Sequence, residues 1–441
     1  MLRDYQQTVY DKTVDAFRHG YKRPLVVLPC GGGKSYLFAE MAKNTRGEVL
    51  ILTHRRELLS QHNALLSDLG ITARVSMVLT EANRLGQYPR PSLIITDEAH
   101  LSRSTSWMKV LDYYNTYTVG FTATPVRLDG KPLGDMYDTL IEGVSVKWLI
   151  ENKRLAPFEY YAPTAVETDG LRVQAGDYVI KDLEQLMSDR AIYSDVLKSW
   201  QRLAGGDKTI AYCVSVKHAK ETAEMFRNAG YKAVAIDGGT PDKQREEIMR
   251  QFRSGEIQIL CNCAIISEGV SIDDVACCLL LRPTESHALY WQQAMRSMRY
   301  QPGKVAKIID CVGNYTRNPL PDADVEWSLT AGTKKQKQTN ADGDFFVRMC
   351  PSCFKVFKTS PICPHCGQEY PLHPREIEAK KNIELARITA EEAKKAEEQR
   401  KKMRKLQGKA RTFEELVKLG KERNYKNPAA WAAMVMRGRN H

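Results

Sequence analysis

A glycine-rich loop between an apolar run and a helical pattern constrains the fold of this chain most. The apolar run Leu25–Leu28 leads into Pro29-Cys-Gly-Gly-Gly-Lys-Ser35, and a helical pattern begins at Ser35. In such a context glycines let backbone amides approach phosphates, a lysine reaches the β- and γ-phosphate oxygens, and a serine hydroxyl binds magnesium. The alternative is an ordinary glycine turn, since Leu28 occupies the first glycine position of the strict pattern. We expect these nucleotide ligands: Gly31, Gly32, Gly33, Lys34 and Ser35.

Short apolar runs alternate with helical patterns twice along the chain, which predicts two α/β domains. Near-continuous apolar runs are typical of parallel strands that are buried on both faces. The first series, within residues 1–155, comprises Leu25–Leu28, Val49–Leu52, Leu93–Thr96 and Thr118–Phe121. The second, within residues 156–318, comprises Thr209–Cys213, Lys232–Ile236, Ile257–Leu260, Cys277–Leu281 and Lys307–Asp310. We expect two doubly wound parallel sheets in tandem, with residues 157–176 as the linker and residues 318–344 as a second loop.

Two adjacent carboxylates end one of the predicted strands. Asp97 and Glu98 directly follow Leu93–Thr96. A carboxylate at this place can hold magnesium, and its neighbour can orient or deprotonate a water that attacks the γ-phosphate. We assign Asp97 to the metal and Glu98 to the base. Acidic pairs at strand ends are also common as solvated loop charges, so the assignment depends on Lys34.

Four of the eleven cysteines form two paired knuckles near residue 350. Cys350 and Cys353 are separated by two residues, and so are Cys363 and Cys366. This spacing is typical of a structural zinc ion held by four thiolates, with disulfides as the alternative in an oxidising compartment. We expect a zinc ribbon at residues 345–372. The remaining cysteines are scattered or lie in apolar stretches, which is typical of reduced, buried thiols.

The charge of the chain is concentrated at its end. The net charge of the chain is +12. Residues 373–441 contain 19 Lys and Arg and 10 Asp and Glu, so this segment carries a surplus of nine positive charges. A basic helical tail on a nearly neutral body favours a polyanionic partner, and a solvated helix is the alternative. The sequence shows neither a membrane-spanning run nor a signal-peptide pattern, so we expect a cytoplasmic protein without a membrane partner.

These motifs together resemble superfamily 2 helicases of the DEAH-box type across residues 1 to 315. Leu2–Gln6 resembles the adenine-reading motif, Thr53–Leu58 motif Ia, Asp97-Glu-Ala-His100 the DEAH box and Thr122–Thr124 motif III. Further along the chain, Tyr212–Ser215 with His218-Ala219 resembles motif IV, Ser267–Gly269 motif V and Gln292–Arg299 motif VI. The resemblance implies two RecA-like domains that bind ATP and Mg²⁺ between them.

The resemblance also implies roles for individual residues. It makes Arg296 and Arg299 the arginine fingers, and such a finger is worth ~10³ to 10⁵ in rate. Their spacing of three positions predicts that both lie on one helix face. Gln6 and Gly269 would contact the nucleotide. Residues that couple hydrolysis to movement would be His100, Thr122, Thr124 and Gln292. Residues along the nucleic-acid path would be Arg56, Thr80, Gly239 and Ser267.

A zinc ribbon and a short tail after the core resemble the RadD-like branch of bacterial and phage DNA-repair helicases. Arg282–Ser286, Asp310-x-x-Gly-Asn314 and Tyr425–Trp431 carry this likeness. It implies an ATP-dependent DNA helicase that unwinds or remodels forked or branched DNA in a bacterial or phage-infected cell, with a possible single-strand-binding or replication protein as partner. An RNA helicase, a duplex translocase and a zinc-ribbon binding protein with a vestigial ATPase are the alternatives. The presence of Lys34, Asp97 and Glu98 argues against a vestigial ATPase.

Overall fold

The computed structural model describes most of the chain as two compact units. The described residues are 2–102, 104–127, 132–162, 168, 171–174, 177–187, 190–263, 274–330, 347–369, 412–422, 429, 432 and 436. The first unit is Met1–Gln368 and the second is Glu369–His441. Within the described ranges, every helix is too short or too polar to cross a bilayer.

The first lobe is a parallel sheet of six strands. Its strands are β1 Pro24–Val27, β2 Val49–Thr53, β3 Arg74–Met77, β4 Leu93–Asp97, β5 Tyr117–Thr122 and β6 Thr139–Glu142. They lie in the order β3-β2-β4-β5-β1-β6, with every neighbouring pair parallel. Its helices are α1 Asp4–Arg18, α2 Lys34–Asn44, α3 Arg56–Asp68, α4 Val78–Asn83, α5 Thr105–Tyr114 and α6 Val146–Glu151. The two strands that the sequence did not predict, β3 and β6, are the edge strands.

The second lobe repeats this architecture, as predicted. Its sheet strands are β7 Phe158–Tyr161, β10 Thr209–Tyr212, β11 Ala233–Ile236, β12 Ile259–Asn262, β13 Cys277–Leu280 and β14 Ala306–Asp310. All neighbours in the order β11-β12-β10-β13-β14-β7 are parallel, and a separate hairpin joins β8 Val173–Gln174 to β9 Asp177–Tyr178. Its helices are α7 Ile180–Leu186, α8 Arg190–Ala204, α9 Val216–Asn228, α10 Asp242–Ser254 and α11 His287–Ala294.

The predicted linker at residues 157–176 contains a strand. Residues of β7 pair with β14 and complete the edge of the second sheet. The sequence did not predict this strand because Phe-Glu-Tyr-Tyr is too short to form a clear apolar run. In the structure its first two residues are half-buried and its last two are buried. The chain therefore enters the second sheet within a few residues of leaving the first lobe.

The ribbon extends this edge of the second sheet. Strands β15 Val347–Met349 and β16 Val356–Lys358 pair in antiparallel fashion. The amide of Ala162 donates to the Phe354 carbonyl at 3.0 Å, and the Lys355 ammonium lies 2.5 Å from the Glu159 carboxylate. The ribbon is thus anchored to β7 by backbone and side-chain contacts.

Part of the predicted loop at residues 318–344 connects the two lobes. The Trp291 indole on α11 donates to the Pro319 carbonyl at 3.2 Å, and Trp327 packs edge-on against Trp291. The Leu329 carbonyl then accepts from the Gly134 amide of the first lobe at 2.8 Å. Residues 319–329 therefore form a strap between the lobes.

The described part of the second unit contains one helix with a reciprocal cap. Helix α12 spans Phe413–Glu422. The Glu415 carboxylate accepts from the Thr412 amide at 3.1 Å, and the Thr412 hydroxyl accepts from the Glu415 amide at 3.2 Å. This reciprocal pair is a capping box, for which the sequence Thr412-Phe-Glu-Glu415 has the typical pattern. The densest group of basic residues in the predicted tail, Arg400-Lys-Lys-Met-Arg-Lys405, lies outside the described residues.

Candidate nucleotide-hydrolysis site

The glycine-rich loop has the backbone conformation of an anion cradle. It connects β1 to the start of α2, and Gly31 and Gly33 have φ angles of 80° and 83°, which favour glycine. A Cβ on Gly33 would lie 2.2 Å from the Gln6 amide nitrogen, and one on Gly31 would lie 2.8 Å from a Leu155 methyl. Because Lys34 and Ser35 begin α2, the free amides of the first helical turn point toward the loop.

Lys34 and Glu98 face each other across this cradle. The Lys34 ammonium lies 3.6 Å from the Glu98 carboxylate, and both side chains are largely buried. Burial opposes the charge of Lys34, but the nearby carboxylates, Glu98 first, raise its pKa above the ordinary value. Neither the Lys34 nitrogen nor the second Glu98 oxygen has a hydrogen-bond partner among the described residues. Buried polar atoms of this kind fit a charged, hydrogen-bonding ligand.

Asp97 is held in place at both of its oxygens. Its Oδ1 accepts from the Glu98 amide at 3.0 Å, and its Oδ2 lies 3.0 Å from the His62 Nε2. Burial works to raise the pKa of this carboxyl, but the His62 contact and the Lys34 charge outweigh burial and lower it. The residue is therefore an anion in the interior, as a magnesium ligand has to be.

The four predicted coupling residues fall into two groups. The His100 Nδ1 lies 3.5 Å from a Glu98 oxygen and 3.2 Å from the Thr122 hydroxyl, which itself donates to the Thr124 carbonyl at 2.9 Å. This contact chain links Glu98 to the end of β5. Gln292 lies apart on α11, buried, and its amide nitrogen finds no acceptor in the described part of the chain.

Gln6 contacts the phosphate loop directly. Its amide nitrogen donates to the carbonyls of Gly32 at 3.3 Å and Gly33 at 3.2 Å, while its oxygen accepts from the Arg3 amide. The contact with adenine stays a prediction. In this structure the Gln6 side chain positions the loop.

The two candidate arginine fingers approach the loop from the second lobe, but not on one helix face. Burial raises the pKa of the Cys30 thiol, and Lys34, Arg296 and Arg299 lie close enough to oppose that shift. Helix α11 ends at Ala294, Arg296 lies in a 3-10 turn, and Arg299 is extended and bridges Leu155. The expected common face is wrong because the helix ends before either arginine.

The four ribbon cysteines converge on one point. Their sulfurs lie within 4.8 Å of one another, with Cys350–Cys366 at 3.5 Å and Cys353–Cys363 at 3.8 Å. A tetrahedron with Zn–S bonds of ~2.3 Å has edges of ~3.8 Å. Burial and the neighbouring thiols raise the pKa of Cys353 to about 12, and a divalent cation would reverse that shift. The cluster fits a four-thiolate zinc site.

The predicted nucleic-acid residues are brought together only in part. The Arg56 guanidinium at the start of α3 lies 3.1 Å from Asp242, three residues beyond the exposed Gly239. Next to this pair, Arg245 lies 3.0 Å from Glu57. Thr80 is half-buried on α4, separate from this group of contacts. Ser267 and Gly269 lie outside the described residues.

Two family profiles match the chain in the order of its lobes. The profile described as type III restriction enzyme, res subunit, matches residues 1–127, and the helicase conserved C-terminal domain matches residues 191–301. Together they cover more than half of the chain. The chain belongs to helicase superfamily 2. A 51.5 kDa protein of a Lactococcus phage is 37% identical to this helicase over 380 residues, which cover 84% of the helicase and 83% of the phage protein.

More distant relatives of the helicase carry functional names. The Saccharomyces cerevisiae protein provisionally named ATP-dependent helicase IRC3 is 30% identical, and the match covers 71% of the helicase and 52% of IRC3. The helicase thus spans about half the length of IRC3. The DNA 3'-5' translocase XPB2 of Sulfurisphaera tokodaii is 24% identical, with 70% and 81% covered. These relationships and the two profiles make the chain an ATP-hydrolysing helicase.

A solved structure shares the fold of this helicase. It is a fragment of an HsdR-type subunit of a type I restriction enzyme from Vibrio vulnificus, with a TM-score of 0.59 and 20% identity. The match covers 73% of the helicase and 66% of that fragment. At this identity the likeness concerns the fold alone.

Sequence reasoning missed one residue that touches the site. His62 lies on α3, is 2% exposed and contacts Asp97. Its sequence neighbourhood, Ser60-Gln-His62, carries no motif that predicts this contact. Only the packing of α3 against the sheet brings the imidazole to the end of β4.

Proposed function

We propose that this helicase couples ATP hydrolysis to the unwinding or remodelling of forked or branched DNA in replication, recombination or repair. The observation that carries the hydrolysis part is the meeting of Lys34, Asp97 and Glu98 at one sheet edge. The arginines of the second lobe approach the same loop. Because the site is assembled from two lobes, each cycle of ATP hydrolysis is coupled to a movement of the lobes, and this movement can displace a nucleic-acid strand.

The first lobe would bind and activate the nucleotide. Lys34 leaves Glu98 for the β- and γ-phosphates, while the loop amides donate to the same oxygens. Ser35 and Asp97 would hold Mg²⁺, which when bound neutralises charge on the phosphates. Once Lys34 has turned to the phosphates, the Glu98 carboxylate is free to accept a proton from the attacking water.

The second lobe would complete the site. Arg296 and Arg299 stabilise the charge that spreads over the transferred phosphoryl group in the transition state. Their effect depends on lobe closure, because they stand on a separate sheet. Loss of the γ-phosphate would change the contacts of Glu98. The contact chain through His100 to Thr122 and Thr124 would transmit this change to the end of β5.

The nucleic acid would cross both lobes. Arg56 of the first lobe and the exposed Gly239 turn of the second lie near each other, and we also keep Thr80 and Ser267 on this path. The resemblance to RadD-like helicases, which stays a prediction, supports DNA, as does the name of the translocase relative. The match to a phage protein supports a cytoplasmic site of action in a bacterial or phage-infected cell.

A duplex translocase that does not separate strands is the second candidate. The specific observation in its favour is the sequence match to a protein named as a translocase. Displacement of a third strand from a triplex without unwinding of a fork would identify this activity.

The test is an ATPase assay with single-stranded, duplex and forked DNA and with RNA as stimulators, paired with a strand-separation assay on the fork. We expect the fork to stimulate most and to be unwound. Lys34→Ala should abolish both activities, whereas Lys43→Ala, an exposed lysine on the same helix, should retain both. Stimulation by RNA alone, or hydrolysis by Lys34→Ala at the wild-type rate, would contradict the proposal.

A further inference from the structure

His62 makes a buried contact that the helicase motifs leave unassigned. It lies on α3, which is not part of the phosphate loop, and its side chain is 2% exposed. The Nε2 lies 3.0 Å from Asp97 Oδ2, within hydrogen-bond distance, and the ring packs against Phe38 of α2 with centroids 5.2 Å apart. Packing on α2 restricts the ring plane, so the nitrogen stays directed at the carboxylate.

We propose that His62 is a positioning residue that orients Asp97 for the magnesium of the ATPase reaction, an inference that rests on the proposed function of Asp97. The Nε2–H donates to Oδ2 and the Glu98 amide donates to Oδ1. Each carboxylate oxygen accepts two hydrogen bonds or ligand contacts, so one position on each remains for the metal or its waters. With both oxygens held, the carboxylate cannot rotate away from the phosphate loop.

Two histidines of the second lobe, His218 and His287, make contacts of another kind. His218 accepts from the Val214 amide at 3.3 Å, and His287 packs against Trp291. Burial lowers the pKa of both to about 4, and for His218 the charges of Glu221 and Glu184 offset this only in part. His62 instead faces a carboxylate at the end of β4. A residue that only filled the core would not need to direct a nitrogen at a candidate metal ligand.

The decisive comparison uses two amides of similar polarity. In His62→Gln the side-chain nitrogen can take the place of Nε2 and donate to Asp97. In His62→Asn the nitrogen corresponds to Nδ1 and stays too far from the carboxylate. Both variants lose the aromatic ring, so the hydrogen bond to Asp97 is what separates them. His287→Gln, which replaces a second-lobe histidine that packs against Trp291, serves as the control for general damage.

The measurement is the Mg²⁺ concentration that gives half-maximal ATPase rate, together with the affinity for a fluorescent ATP analogue in EDTA and in Mg²⁺. Partners that orient metal ligands are typically worth ~10- to 100-fold in metal affinity or activity. We expect His62→Asn to raise the Mg²⁺ midpoint by about that factor, or to lower the rate correspondingly, while nucleotide affinity in EDTA stays unchanged. His62→Gln and His287→Gln should remain near the wild-type midpoint.

Two results would overturn the proposal. One is a wild-type Mg²⁺ midpoint and rate in folded His62→Asn, and the other is an equal shift in the Asn and Gln variants. If His62→Asn fails to fold, the same titration of folded His62→Gln decides. Its amide can still donate to Asp97, so a raised Mg²⁺ midpoint in this variant would overturn the proposal. Failure of the proposed function itself has a separate signature, because the wild-type protein would then hydrolyse no ATP with Mg²⁺ present.

Discussion

Removal of Lys34 should destabilise the nucleotide-free first lobe as well as abolish hydrolysis. The Lys34 and Glu98 charges are 3.6 Å apart, and their side chains are only 13% and 10% exposed. At an effective dielectric constant of ~20 their attraction is about 5 kcal/mol, and breaking a buried pair typically costs about 3–5 kcal/mol. Because 3.6 Å is longer than a hydrogen bond, we expect Lys34→Ala to lower the free energy of unfolding by about 3 kcal/mol.

A double substitution separates this effect from catalysis. Glu98→Gln removes the carboxylate charge, so Lys34→Ala combined with Glu98→Gln should recover most of the lost stability. Hydrolysis should stay absent in the double variant, since both proposed catalytic groups are missing. Lys43→Ala on the same helix is the control for loss of an exposed lysine.

The assay is urea unfolding without nucleotide, read by hydrogen exchange at the amides of β1 and β4, which reports on the first lobe alone. Equal stability of Lys34→Ala and the wild type would refute the reasoning about the buried pair. A double variant no more stable than Lys34→Ala would refute it as well, because the cost would then come from lost packing and not from the unpaired carboxylate.

Three further predictions follow from other regions. Cys350→Ser should release about one zinc per chain in metal analysis, and hydrogen exchange should quicken at β7, because the ribbon is anchored there through Lys355 and Phe354; unchanged zinc content would contradict the site. Acidification from pH 7.5 to 5 should destabilise the second lobe. The pKa of His287 in the folded state, about 4, lies below its value in the unfolded state, so the unfolded state takes up the proton first as the pH falls. His287→Phe should flatten the dependence of the urea midpoint on pH. Deletion of residues 374–441 should weaken DNA binding and reduce its salt dependence by ~0.7 to 0.9 log units per lost phosphate contact; an unchanged salt slope would leave the tail without a DNA contact.

The local features of the site could be predicted because they depend on neighbours in sequence. Glycines before Lys34 permit the loop conformation, and a run of apolar residues before Asp97 indicates a buried strand that ends there. The carboxyl ends of parallel strands share one sheet edge, so the meeting of these two motifs follows from the fold class. The cysteine spacing and the Thr412 capping box depend on short-range geometry in the same way.

The tertiary structure decided whatever depends on distant segments. Strand β7 exists because β14 offers an edge to pair with, and four mixed residues carry no signal of that edge. Arg299 is extended because it bridges Leu155, although residue spacing suggested a common helix face with Arg296. The strap at residues 319–329 reads as a loop in the sequence. Its ordered path depends on contacts with Trp291 and Gly134, which lie far away along the chain.

His62 shows the same division most clearly. The sequence by itself determined that α3 is a helix and that Asp97 ends a strand, since both follow from the periodicity of apolar residues. It did not determine that the imidazole reaches the carboxylate, because 35 residues separate them and only the packing of α3 against α2 and β4 sets their distance. Periodicity specifies which face of an element is buried, whereas the partner of a buried polar atom depends on where another element comes to lie.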